Sequence, residues 1–388
     1  MFAVFLRSVA HHAQWFFVSF LQKKNKGASL SGKRMLFLIF GYPAFCALQL
    51  MHWFGFLCDE VLFADYKKVE IRRPLFISGI PRSGTTFVHR TLAHAAQFTS
   101  FTTWEALLAP SITERKIIRW LAGLDRIFGA PGKKLIHTVI QKSTGDFNSI
   151  HEVGLDAAEE DYLALLPAGG CFILLLAFPF STQLKSLAML DKMDPKQRQG
   201  LTHFYKRMVQ KHLYCAPENA RFLSKNAAFA SWMPELQTIF PDSQCIICVR
   251  EPASALSSQL SSLQPARDFF ATDPSARYTT ELFTEIFAHN YALLVELCQS
   301  ADRAQIALLD QTDLRQDSGG IIRSCLSQLE VKNTPELDEA LAGIKRSSSS
   351  SHSHKTSDFP FDSDQIQVCI QPSYKQLLRS GTRVFPKS

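Results

Sequence analysis

The sequence predicts an α/β protein: a largely parallel sheet flanked by helices on both faces, preceded by an apolar helical N-terminal region. Three observations predict it. A short apolar run at residues 75–77 ends in a glycine turn, and a helical segment follows at 86–96. Further strand-like runs at 221–224, 244–249 and 305–309 alternate with segments of helical periodicity, the pattern of parallel strands joined by crossover helices. Finally, residues 1–22 and 35–58 are strongly apolar, set apart from the mixed composition of the rest.

With 388 residues, 46% of them hydrophobic and 20% charged, the chain is long and apolar enough for a large core and is not a disordered polymer. Its 31 phenylalanines favour thick apolar surfaces, in a core or against lipid. The net charge of +7 suits anionic ligands or an anionic membrane surface. No basic stripe interleaved with aromatics accompanies it, so a nucleic-acid partner is not expected. Nine cysteines fall in no zinc spacing or disulfide framework. Cys245 and Cys248, three apart in a strand, point to opposite faces and read as buried thiols, which suits a reducing compartment.

Residues 1–22 carry no early lysines and no small-residue cleavage site, so a secretory signal is not expected. Residues 35–58 then run 24 positions without Asp, Glu, Lys or Arg, long enough to cross a bilayer. Gly41 and Pro43 interrupt the run, and basic residues flank it on both sides (Lys33 and Arg34 before, Lys67 and Lys68 after), which leaves orientation undefined. Three readings stay open: an apolar segment in the plane of a membrane with the following domain at the cytoplasmic face, a helical hairpin packed on the domain, or a type II anchor.

The stretch from Gly79 to Thr86 carries the chemistry. Strand, tight turn and helix N-terminus bring free N–H groups together where the helix dipole favours an anion, as in a P-loop. The glycines Gly79 and Gly84 have the P-loop spacing, but Thr85 stands where a nucleotide-binding loop has lysine. The cation lies inside the turn, as Arg82, beside the hydroxyls of Ser83, Thr85 and Thr86.

Downstream, residues 98–109 contain Glu105, and 112–145 read as helix and loop broken by Gly129, Pro131 and Gly132. An acidic run, Glu159, Glu160 and Asp161, reads as a solvated helix face. The apolar stretch 171–180 is too short to span a membrane and reads as core or pocket wall. Leu201, Phe204, Tyr205, Met208, Val209, His212 and Leu213 mark an amphipathic helix. The strand 221–224 leads into Lys225, and a helix over 228–240 is interrupted near Pro234. The strand 244–249 leads into Arg250, and Ser258 follows eight residues later on the next helix. Helices at 282–297 and 321–329 flank the strand 305–309, and the serine-rich tract 346–357 is a polar linker or exposed loop. The domain division is therefore 1–70, a membrane-associated apolar region; 71–335, the α/β domain; and 336–388, a loop and tail.

The run Pro81-Arg82-Ser83-Gly84-Thr85-Thr86 resembles the 5′-phosphosulfate loop of sulfotransferases that use 3′-phosphoadenosine 5′-phosphosulfate (PAPS), and Arg250 with Ser258 resembles their 3′-phosphate motif. The likeness covers roughly residues 70–330 and points to the bacterial and tyrosylprotein branches. It implies that Arg82, Ser83, Gly84, Thr85, Thr86, Arg250 and Ser258 bind the cofactor, and that Arg82, Lys225 and a general base carry out transfer. Glu105, 23 residues after Arg82, matches the place of the tyrosylprotein enzymes' glutamate base; His151 is the rival, as in cytosolic members. Two departures, Lys225-Asn226-Ala227 and Arg250-Glu251-Pro252 where the family usually has Lys-Ser-Pro or Lys-Asp-Pro and Arg-Asp-Pro, remove no cationic donor. The implied reaction is sulfuryl transfer to a hydroxyl of a small-molecule, lipid or other apolar acceptor, with no metal. The alternatives are a P-loop NTPase or small-molecule kinase, for which Asp310 after Leu308-Leu309 would hold magnesium, and a non-catalytic nucleotide-binding membrane protein.

Overall fold

The computed structural model describes residues 1–21, 27–127, 157–343 and 363–385. Five strands form one parallel sheet: β1 (Leu75–Gly79), β2 (Phe98–Thr99), β3 (Arg221–Lys225), β4 (Gln244–Val249) and β5 (Ile306–Asp310). Their order is β2-β3-β1-β4-β5, with β1 central. Strands buried on both faces need apolar side chains in both directions, hence continuous apolar runs rather than alternation with polar residues. Phe76, Phe222, Cys245 and Ile247 enter the larger core, and Leu75, Ile77, Ile246 and Cys248 the smaller one behind the sheet. Cys245 and Cys248 thus point to opposite faces as their spacing requires, both as free thiols.

After β1 the chain turns to the β3 side, and after β4 to the β5 side. The topology therefore switches between the carboxyl ends of β1 and β4, the kind of place where open α/β sheets bind ligands. The register places Ile77 beside Lys225 and Gly79 beside Cys248, so the segments following β1, β3 and β4 emerge at one edge.

The N-terminal region is two helices laid on the domain: α1 (Phe2–Leu21) and the long α2 (Gly32–Leu62). Gly41 and Pro43 do not break α2. A π-turn at Phe37–Gly41 absorbs the proline, whose missing N–H would otherwise leave a gap in the ladder. Trp15, Tyr42 and Phe56 enter the same core as Phe76 and Phe178. Asp59 of α2 pairs with Lys211 at 2.8 Å, both fully buried, and also accepts from the N–H groups of Ile112 (2.9 Å) and Thr113 (2.8 Å).

The helices that position the site are α3 (Thr85–Ala93), α4 (Thr103–Leu108), α5 (Ile112–Ile127), α6 (Pro195–Cys215), α7 (Pro252–Ser262) and α8 (Arg277–Ser300). The expected amphipathic helix at 201–213 is the centre of α6. The helix expected over 228–240 comes in two pieces that meet near Pro234, a 3-10 segment Ala227–Trp232 and a helix Met233–Ile239, whose first turn takes the proline because it sacrifices no intrahelical bond there. The tail is built into the fold: Ile366, Ile370, Tyr374 and Leu377 join the larger core, and Val384 N–H bonds Leu308 C=O of β5 at 2.9 Å.

Candidate active site

The glycine turn joins β1 to α3 and depends on two positions where a side chain cannot fit. A Cβ on Gly79, at φ +128°, would stand 2.1 Å from the Cys248 carbonyl oxygen; one on Gly84, at φ +100°, would stand 2.5 Å from Leu314. Between them Arg82 itself takes a positive φ of 67°, a conformation an L-residue holds only when its surroundings impose it. Ser83 is buried and donates to Ile80 C=O at 2.6 Å, closing the turn on itself. Gly84 caps α3, whose first turn contains Thr85 and Thr86 and whose leading N–H groups have no intrahelical acceptor.

Arg250 and Ser258 meet this turn. Arg250 Nη1 donates to Arg82 C=O at 3.1 Å, and Arg82 Nε donates to Ser258 Oγ at 3.2 Å across 176 residues of sequence. Tyr291 of α8 donates to Arg250 C=O, and Gln311 Nε2 donates to Arg82 C=O at 3.0 Å. Burial lowers the Arg250 pKa, and the charges of Arg315 and Arg82 lower it further. Arg250 is thus repelled by both Arg82 and Arg315, an electrostatic demand that a polyanion answers. Arg315 carries no signal in the sequence motifs; only its place after β5 brings it here.

Lys225 ends β3 on the other side of β1 and is 3% exposed. Its Nζ lies 3.1 Å from Glu160 Oε1, and the same carboxylate supports the charge of Arg82 against burial. Asp161 is fully buried; it accepts from the Tyr205 hydroxyl and, at 3.4 Å, from Lys225 N–H. Burial, against hydrogen bonds from Ser224 and Tyr205, raises its pKa to about 7. The acidic run is therefore no solvated helix face. Asp161 turns into the core beside Tyr205, and Glu160 meets Lys225.

Glu105 is not brought to this cluster. It occupies the first turn of α4, accepts from Thr102 N–H at 3.3 Å, and lies 3.1 Å from His212 Nδ1, 3.8 Å from Arg115 and 3.7 Å from Arg119. Burial pushes its pKa up, but the His212 contact and the Arg115 charge outweigh that and leave it at about 2. His151 lies outside the described residues. Asp310, which the kinase reading would give to magnesium, caps the following helix through Thr312 N–H (2.8 Å) and accepts from Tyr374 (2.7 Å).

Residues 177–335 match the model of a family described as the sulfotransferase family. Among solved structures, the chain is similar to the sulfotransferase STF9 from Mycobacterium avium (TM-score 0.69, 15% identity, covering 100% of this chain and 97% of that one). It is also similar to the sulfotransferase STF1 from Mycobacterium tuberculosis H37Rv (TM-score 0.68, 15% identity, 95% and 91%). At that identity the likeness speaks for the fold. No curated protein matches the chain in sequence. The family match covers the segment that carries Lys225, Arg250 and Ser258, the fold likeness extends over the glycine turn, and together they support a sulfotransferase, an enzyme of sulfuryl transfer.

Proposed function

We propose that the donor is PAPS and the acceptor a hydroxyl on an apolar or lipid molecule. The observation that carries the donor reading is the contact of Arg250 and Ser258 with the Arg82 turn, which gathers cations from two distant segments into one anion site. Arg82, the Ser83 to Thr86 segment and the α3 N-terminus would hold the 5′ end; Arg250, Ser258 and Arg315 would hold the 3′-phosphate. PAPS supplies the sulfuryl group, whose bond to the 5′-phosphate oxygen breaks as the bond to the acceptor oxygen forms.

The chain's own part is electrostatic and acid–base. Lys225 and Arg82 flank the edge where charge builds on the leaving oxygen, and preorganised charges of this kind commonly supply the largest catalytic effect. Glu160, rather than Glu105, is the proposed base that takes the acceptor proton. It is partly exposed and touches Lys225, whereas Glu105, with a pKa of about 2 beside two arginines, is too weak a base near neutral pH. Two cationic side chains suffice for a group carrying less charge than phosphoryl, and activity is expected to survive chelation of divalent metal. The apolar acceptor rests on the exposed apolar helices of the N-terminal region, and a cytoplasmic-face location accords with nine free cysteines.

The test is transfer of label from 35S-PAPS to fractionated lipids and small molecules, with Arg82→Ala as control. Label in an apolar fraction that the control fails to produce supports the reading; equal labelling by both proteins overturns the site.

A further inference from the structure

The two N-terminal helices are built inside out. On α1, the side chains buried against the protein are Ser8, His12, Trp15 and Ser19, while Phe2, Leu6, Phe17 and Leu21 face outward. On α2, Arg34, Gln49, His52 and Asp59 are buried beside Leu38, Tyr42 and Phe56, and Phe40, Leu50, Met51, Phe54, Leu57 and Val61 are exposed, Phe54 by 66%. Only 22% of the most apolar 18-residue stretch of α2 is buried. A water-facing helix has the opposite arrangement, since apolar residues gain from leaving water. Helix α5 starts against α2 and repeats the pattern: Ile117, Trp120, Leu121, Leu124 and Ile127 lie on one face by their spacing and are all exposed. Between α1 and α2 opens an apolar cleft of about 330 Å³, walled by Val9, Phe16, Phe17, Leu50 and Trp53.

The anchoring of α2 fixes its orientation. Near its N-terminus, Arg34 donates to Ala177 C=O (3.0 Å) and Phe270 C=O (3.3 Å). Near its C-terminus, Asp59 pairs with Lys211 and caps α5. Both ends are clamped to the same domain, so the helix cannot run from one side of a bilayer to the other. The charge around it is basic, eight Lys and Arg against three Asp and Glu in residues 1–68; Lys33 and Lys116 are exposed, as are Lys67 and Lys68, which pair with Glu60 and Asp65.

We propose that the outer faces of α1, α2 and α5 form a monotopic docking surface that lies in one leaflet of an anionic phospholipid membrane. Charge decides between occupants: a second copy packed about a two-fold axis would set the basic rim against itself, whereas anionic headgroups neutralise it. The exposed side chains then enter the acyl boundary, as in amphipathic helices that lie in the interface, and the cleft gives an acyl chain room between α1 and α2. This rests on burial and charge, and the sulfuryl-transfer reading does not enter it.

The test is flotation of the full chain with vesicles of phosphatidylcholine and phosphatidylglycerol (7:3), without any transfer assay. The protein is expected to float with these vesicles, and less in high salt or with pure phosphatidylcholine. The variant Phe54→Asp/Leu57→Asp is expected to lose at least about tenfold in binding while its circular-dichroism melt matches the parent. An N-terminal epitope tag should be digested by protease added outside the vesicles, together with a C-terminal one. Failure to float, flotation of the double variant like the parent, or a protected N-terminal tag would each overturn the proposal. So would a detergent-free dimer that the double variant dissociates, since the face would then be covered by a second copy.

Discussion

Of two carboxylates in this chain, Glu160 is the proposed base and Glu105 a member of a buried ionic cluster. Glu160 meets Lys225 and Tyr162, supports the charge of Arg82 and keeps access to solvent; Glu105 is enclosed by two arginines, a histidine and a backbone N–H. Glu160→Gln is therefore expected to lower kcat by roughly 10²- to 10⁴-fold, the usual worth of a general base, with affinity for 3′-phosphoadenosine 5′-phosphate (PAP) unchanged by calorimetry. Glu105→Gln is expected to keep most of the activity and lose stability instead. Its folded pKa of about 2 lies below the ordinary 4.5, so it stabilises the fold above pH 4.5, and that stabilisation disappears as pH falls toward 2. The contribution is roughly 3 kcal/mol, and the variant's melting temperature should be lower at pH 7 and should fall less between pH 4.5 and 3 than the parent's. The sequence offered Glu105 by spacing alone. Spacing does not report that Arg115 and His212, 10 and 107 positions further on, close around it. Nor does it reveal that Asp161 pairs with a tyrosine of α6, which turns an apparently solvated acidic run inward.

Elements whose purpose is written locally were legible in the sequence: the strand, the glycine turn and the helix at 75–93, and the strands leading into Lys225 and Arg250. A turn that needs positive φ at Gly79 and Gly84 leaves its mark in residue type. The N-terminal helices were legible as apolar, but their arrangement was not, because hydropathy does not say which face meets the protein. That depends on partners such as Lys211, which lies 152 residues from Asp59. This pair gives an element-scale prediction. Asp59 pairs with a buried ammonium and also caps α5, whereas Lys211 pairs with Asp59, feels the charge of Glu60 and stands 3.9 Å over the Tyr66 ring. Asp59→Leu should cost roughly 3–5 kcal/mol, as expected for a stranded buried charge, and Lys211→Met should cost less, since the α5 N–H groups still serve the carboxylate. Urea unfolding of both variants checks the order; equal costs would show that the cap contributes nothing.

Across the whole molecule, the parallel sheet makes one site from segments far apart in sequence. The turn after β1, the end of β3 and the end of β4 emerge at one edge, so Arg82, Lys225 and Arg250 can act on one ligand. The tail completes this frame by closing over β5, a role hidden in the sequence because only the spacing of Ile366, Ile370, Tyr374 and Leu377 announces it. An anion site made of arginines should weaken steeply with salt, and PAP affinity is expected to fall as ionic strength rises. The measurement closest to the central claim is calorimetric titration of PAP into the parent, Arg82→Ala and Arg250→Ala, with adenosine 5′-phosphate as a second ligand. Both variants should bind PAP at least about tenfold more weakly, and Arg250→Ala should hardly change the weaker binding of adenosine 5′-phosphate, which lacks the 3′-phosphate. If Arg250→Ala binds PAP as tightly as the parent, or weakens both ligands equally, the two cations do not grip opposite ends of one nucleotide.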